Sequence, residues 1–179
     1  MSDPSFVPPW YAPLVGVAVG FVLAEGSRYL CYRWVIVRDK RAIKTELRSI
    51  LSQLPQKRDV LTQAIESLRA DKLLPTRTVR AVVTGYSTLL PNLYPHLNLL
   101  QRNCLHVIYE RLRVADEITD SFEEDFLRAV REKVMKDPWG MYSARLGELL
   151  ESYQMVEDLA KSYLDGNPID VFQSSRDGR

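Results

Sequence analysis

The spacing of apolar positions changes along the chain, and each spacing predicts an element. From Trp10 to Leu30 the residues are almost all apolar or small, and Ala12, Gly16, Gly20 and Ala24 recur every fourth position. About 20 residues at about 1.5 Å each reach across a hydrocarbon core about 30 Å thick, so the run predicts one membrane-spanning helix. Trp10 and Tyr11 at one end, and Tyr29, Tyr32 and Trp34 at the other, are placed as aromatic belts at two membrane interfaces. Glu25 and Arg28 stand three apart, which puts them on one helix face near the headgroups, where they can pair.

Beyond Arg38 the pattern becomes amphipathic. Ile43, Leu47, Ile50, Leu51 and Leu54 follow helical spacing and predict that the anchor continues as a helix. Pro55 predicts a break or kink, after which Val60, Leu61, Ala64, Ile65 and Leu68 resume the stripe as far as Leu74-Pro75. Thr76 reads as the N-cap of a helix carrying Val79, Val82, Val83 and Tyr86 that stops near Pro91. Leu97, Leu100, Cys104, Ile108, Leu112 and Ala115 form the longest clear stripe. Ser121-Phe122-Glu123-Glu124 has the form of a capping box, opening a helix buried through Phe122, Phe126, Val130 and Val134, with Asp137-Pro138 as its end. Tyr142, Leu146, Leu149, Tyr153, Val156, Ala160 and Tyr163 alternate steps of four and three, the seam of a bundle or coiled coil, until Asp165-Gly166-Asn167-Pro168.

No strand-like alternation competes. The expected fold is all-α: one N-terminal transmembrane helix followed by a small antiparallel bundle of four or five helices. The expected division is a short extracytoplasmic leader at 1–9, a transmembrane anchor and interface at 10–37, a cytoplasmic helical bundle at 38–166 and a disordered tail at 167–179. The length supports one small domain beside the anchor.

Charge fixes the expected orientation. The net charge of +1 conceals an asymmetry: Arg28, Arg33, Arg38, Lys40, Arg41 and Lys44 crowd the C-terminal flank of the apolar run, whereas the residues before it carry only Asp3. By the positive-inside rule the N-terminus lies outside and the main domain in the cytoplasm. The same cations form a membrane-surface basic cluster, suited to anionic headgroups. Two rival readings are a cleaved signal peptide, with Val22 and Ala24 before a cut at Glu25, and the buried core helix of a soluble protein. The first lacks a basic n-region. Pro8, Pro9 and Pro13, which shorten the apolar stretch, speak for the second. The repeat of Ala12, Gly16, Gly20 and Ala24 is a small-residue face of the kind that lets two helices approach closely in lipid. The layout resembles that of many bacterial proteins that join one spanning helix to a small helical domain, which implies an inner-membrane setting.

Candidate chemistry is sparse. Cys31 and Cys104 have no Cys or His at zinc-ligand spacing. A di-iron bundle needs a Glu three residues before each ligand His, but Leu93 and Asn103 precede His96 and His106. Hydrolase elbows and phosphate-cradling glycine loops are absent, and the cations cluster where topology already calls for them rather than on a nucleic-acid-reading face. His106 and Glu110 share a face, and with Asp116 they are the residues from which an enzymatic site would be built; intrahelical pairs such as Asp116 with Arg113 account for the charge equally well. The expected function is therefore a non-enzymatic membrane interaction, assembly or accessory-subunit module without cofactor or metal. Its partners are the bilayer and a protein, or a second copy reached through the anchor helix, and not nucleic acid. The alternative is a self-associating effector or channel-like assembly packed through the small-residue face.

Overall fold

A computed structural model describes residues 11–74, 76, 80, 84–132 and 136–170, the side chains of Tyr11, Ala12 and Thr84 excepted. The regular elements among these residues are all helical: α1 (Tyr11–Arg69), α2 (Thr84–Thr88), α3 (Leu90–Leu93), a 3-10 turn (Tyr94–His96), α4 (Leu99–Glu132) and α5 (Pro138–Leu164). The chain divides into two units, Met1–Lys40 and Arg41–Arg179, and α1 supplies backbone to both. The expected leader, Val79, Val82, Val83, Val134 and the residues after 170 lie outside the described residues.

In the first unit α1 is one helix long and apolar enough to cross a membrane, and none of the residues in its most apolar stretch is buried. Leu14, Val17, Phe21, Val22, Leu23 and Leu30 are all exposed.

The second unit has a core. Ile43, Leu47, Ile50, Leu54, Leu61, Ala64 and Leu68 of α1 are buried, as are all seven positions of the α5 seam. On α4 the buried line runs Cys104, Ile108, Leu112, Ala115, Thr119, Phe122, Phe126, Ala129. Helices α4 and α5 pack antiparallel: Phe126 meets Tyr142 edge to face at 5.2 Å, Tyr153 reaches Asp116, and Cys104 reaches the Leu159 carbonyl. The part of α1 in this unit runs alongside α4 in the same direction, because Glu46 acts on Tyr109 while Lys57 reaches Asp116. The intervening chain travels back: Thr76 bonds Glu123, Arg80 bonds Asp120, and Tyr86 stacks on Tyr109.

Three expected boundaries move. Helix α1 passes through Pro55 without ending, since proline removes one hydrogen bond while Leu54 and Leu61 on either side are wholly buried. Helix α4 runs through the supposed capping box at Ser121, because the steps Ala115, Thr119, Phe122, Phe126 keep the same buried face across it and packing outweighs the local cap. Asp137-Pro138 opens α5 instead of closing the preceding helix: Asp137 is the N-cap, its carboxylate accepts from the Gly140 amide at 2.9 Å, and Pro138 occupies the first turn. Leu100 and Val130, expected in the core, are more than one-third exposed.

Candidate functional site

The candidate residues fall in the two units of the chain. In the first, Gly16, Gly20 and Ala24 fall on one face of an exposed helix, and a Cβ added at Gly16 or Gly20 would meet nothing within 4 Å. Ala12 precedes them in register, its side chain outside the described set. The basic residues nearby engage aromatic or acidic neighbours on the helix. Arg28 pairs with Glu25 at 3.1 Å. Arg33 donates to the Tyr29 hydroxyl at 3.1 Å and lies over its ring, and Arg38 pairs with Asp39 at 3.1 Å while covering the Trp34 ring at 5.5 Å. These stackings are the i, i+4 neighbour contacts of a helix. Lys40 closes this unit; Arg41, exposed, and Lys44, half-buried, belong to the next.

In the second unit a groove of about 600 Å³ runs between α4 and α5. Val107, Val114, Ala115, Ile118 and Leu149 give it an apolar floor, and His106, Glu110, Arg111, Arg145, Glu148 and Ser152 line it with polar groups. The Tyr86 hydroxyl and His106 Nδ1 form a 2.7 Å hydrogen bond at its edge. Burial first, and the Glu110 charge next, raise the Tyr86 hydroxyl above the ordinary phenol range.

The structure separates the three residues from which a catalytic site was conceivable. His106 and Glu110 line the groove, whereas Asp116 is buried on the other side of α4. Nor does Asp116 pair with Arg113, which forks between Glu110 at 2.8 Å and Glu117 at 2.7 Å. Asp116 Oδ1 instead accepts from the Lys57 ammonium at 2.5 Å and from the Tyr153 hydroxyl at 2.9 Å. Lys57 also stands over the Tyr153 ring, 5.6 Å from its centroid. The cluster ties α1, α4 and α5 together by one carboxylate, and burial raises the Tyr153 hydroxyl well above its ordinary range. One sequence signal pointed to it: Lys57 occupies the position between Leu54 and Leu61 where the stripe asks for an apolar residue.

Two further contacts close the unit. Glu46 Oε2 accepts from the Gly85 amide at 2.7 Å, and burial together with the same carboxylate pushes the Tyr109 hydroxyl upward. Glu157 holds both Arg58 at 2.9 Å and Lys161 at 2.5 Å, which lowers its carboxyl below the usual range. Cys104 is buried, its thiol donates to the Leu159 carbonyl, and burial pushes that thiol up to about 11, the setting of a packing residue. Among the described residues no group of three or more His, Cys, Asp or Glu is placed to hold a metal ion. Comparison of the chain with protein-family models, with curated proteins and with solved structures gives no match.

Proposed function

We propose that the protein is a single-pass membrane protein whose helical bundle, packed from the second half of α1 with α4 and α5, lies in the cytoplasm and acts as a non-enzymatic interaction or accessory-subunit module, in a bacterial inner membrane. The observation that carries this reading is the apolar stretch of α1, where side chains such as Phe21, Val22 and Leu23 are about two-thirds exposed. Apolar surface costs about 25 cal/mol per Å² in water, and a bilayer removes that cost for a helix whose backbone bonds are already satisfied internally. The cations beyond Arg28 support an outside N-terminus. The bland ion pairs and the core position of Asp116 support an interaction role over catalysis.

The test is alkaline carbonate extraction of the full-length protein, together with C-terminal fusions to a fluorescent reporter and to alkaline phosphatase in a bacterial host. Retention in the membrane pellet with a fluorescent fusion and a silent phosphatase is expected. Release by carbonate, or an active C-terminal phosphatase, overturns the reading. For the module itself, detergent purification is expected to recover a stoichiometric polypeptide partner or a second copy.

A second reading, a self-associating membrane assembly, draws on the open faces of Gly16 and Gly20. Flux of ions from protein-loaded liposomes, abolished by Gly16→Ile with Gly20→Ile, is its signature.

A further inference from the structure

The second unit exposes apolar side chains at the end where α1 joins it. Lys57, Asp116 and Tyr153 meet in one cluster, which fixes the residues that share that end. Sixteen residues, about 24 Å of helix, lead back from Lys57 to Arg41 on α1 and from Asp116 to Leu100 on α4. Helix α5 runs from Tyr153 towards the same end and stops at Leu164, with Ile169 just beyond. There Leu99 is 67% exposed, more than any other large apolar side chain described in this unit, Tyr94 is 48% exposed, and Leu100 and Ile169 are exposed as well. The turn that presents them is held in place. Leu93 and Leu97 are buried beneath it, Asn98 and Gln101 cap the start of α4 by exchanging hydrogen bonds of 2.8 and 3.1 Å, and Arg102 donates to the Leu97 carbonyl at 2.9 Å while lying 4.4 Å from the centroid of the Tyr94 ring.

Charge distinguishes this end from the other. No Asp or Glu stands between Asp71 and Glu110 in the sequence, and the α1 end carries Arg41, Lys44 and Arg102. Its acids are Glu46, which accepts from the Gly85 amide, and Asp165 and Asp170 around the close of α5. At the opposite end Leu127 is 51% exposed, but it stands among Glu123, Glu124, Asp125 and Glu132. Aromatic rings with a polar tip, leucines and arginines together make up the chemistry of a membrane interface, and an anionic surface attracts the cations while repelling an acidic tip. We propose that the α1 end of the second unit rests on an anionic bilayer surface, with Tyr94, Leu99 and Leu100 entering the headgroup layer and Arg41, Lys44 and Arg102 meeting lipid phosphates. The inference rests on the reading of α1 as a membrane span, since a bilayer crossed by α1 meets the unit at this end and not at Leu127. It makes the bundle a second point of membrane contact instead of a domain hanging free in solution.

The experiment places an environment-sensitive fluorophore on the full-length protein through Leu99→Cys or, as the far-end control, Leu127→Cys. Both are made with Cys31→Ser, and Cys31→Ser alone is the blank for buried Cys104. The protein is reconstituted in vesicles of phosphatidylcholine with an equal part of phosphatidylglycerol, or of phosphatidylcholine alone, each with and without a lipid that carries a nitroxide near its headgroup. In the anionic vesicles the label at position 99 is expected to emit to the blue and to be quenched by the nitroxide lipid several-fold more than the label at 127, and to lose much of that quenching in phosphatidylcholine alone. Far-UV circular dichroism verifies the fold, and Leu100→Cys is the second position if Leu99→Cys fails it. Flotation after alkaline carbonate separates the two readings: protein that leaves the vesicles overturns the membrane span and this inference with it. Protein that stays while positions 99 and 127 are quenched alike overturns this inference and leaves the span standing. So does a blue emission at 99 that the nitroxide lipid does not quench, the sign of a protein or a second copy covering the turn. Quenching at 99 that is indifferent to lipid charge overturns the assignment to an anionic surface.

Discussion

The Lys57 ammonium lies 2.5 Å from Asp116 Oδ1 with both side chains buried and 59 positions apart along the chain. A buried pair is a poor source of net stability but costly to break, because removing one partner leaves an uncompensated charge. Asp116→Ala is therefore expected to destabilise the fold by about 3–5 kcal/mol, whereas Lys57→Met with Asp116→Leu is expected to recover most of that loss, short of about 1–3 kcal/mol for the buried Tyr153 hydroxyl that loses Asp116 as its acceptor. Urea unfolding of the full chain in detergent measures both. A loss below about 1 kcal/mol for Asp116→Ala, the size of a surface pair, would mean the pair is hydrated in solution.

Two helix ends close in the same way with different residues. After α1, Lys72 donates to the Ser67 carbonyl at 2.9 Å with Asp71 at φ 55°; after α5, Asn167 donates to the Ser162 carbonyl at 3.0 Å with Gly166 at φ 85°. The left-handed position suits glycine and strains a residue with a Cβ. Asp71→Gly is expected to stabilise by about 1 kcal/mol, and Gly166→Ala to destabilise by about the same amount; thermal unfolding distinguishes the two signs.

Gly85 is required for a different reason. A Cβ there would stand 2.5 Å from Glu46 Oε2, the atom that accepts from the Gly85 amide. Gly85→Ala is expected to displace that carboxylate and cost about 1–3 kcal/mol, the scale of a buried polar group left unpaired. Glu46→Gln keeps an acceptor and is expected to cost less. Denaturant midpoints of the two variants give the comparison.

Stability should fall at both ends of the pH scale, for opposite reasons. Lys161 and Arg58 hold the Glu157 carboxyl below its ordinary range, so its contribution is full above the unfolded value of about 4.3 and disappears as pH falls through the folded one. Burial raises the Cys104 thiol to about 11 and the Tyr163 hydroxyl to about 12; their neutral forms favour the fold below the ordinary thiol and phenol values, and this is lost as pH rises through the raised ones. Glu157→Gln is expected to flatten the acid limb of a stability–pH profile, and Cys104→Ala the alkaline limb.

Much of the fold was legible because packing repeats with the helix. The α5 seam from Tyr142 to Tyr163 is buried at every position read from spacing alone, and the buried line of α1 from Ile43 to Leu68 follows the apolar residues. What sequence reasoning misplaced were interruptions: Pro55 and Ser121 carry strong local signals for a break, yet both sit between residues whose burial continues in phase, so tertiary contacts hold the helix through them. Asp137-Pro138 was recognised as punctuation and assigned to the wrong side, since proline is equally at home after one helix and in the first turn of the next. The Lys57, Asp116 and Tyr153 cluster was illegible as a unit because its members come from three helices. The groove was illegible because nothing in periodicity tells which of several charged faces lies beside α5.

The order of contacts along the chain also sets an order in time. The α4–α5 hairpin joins neighbours across a short connection, whereas the core face of α1 meets its partners on α4 only after the whole returning segment has been laid down. Closing the longer loop costs more entropy and builds fewer local contacts, so the hairpin should form first and α1 dock onto it last. During synthesis the sequence is reversed: the stripe from Ile43 to Leu68 leaves the ribosome well before α4 exists to cover it. For that interval the nascent chain presents a long apolar helix face with no partner of its own, and its early life depends on what shields that face.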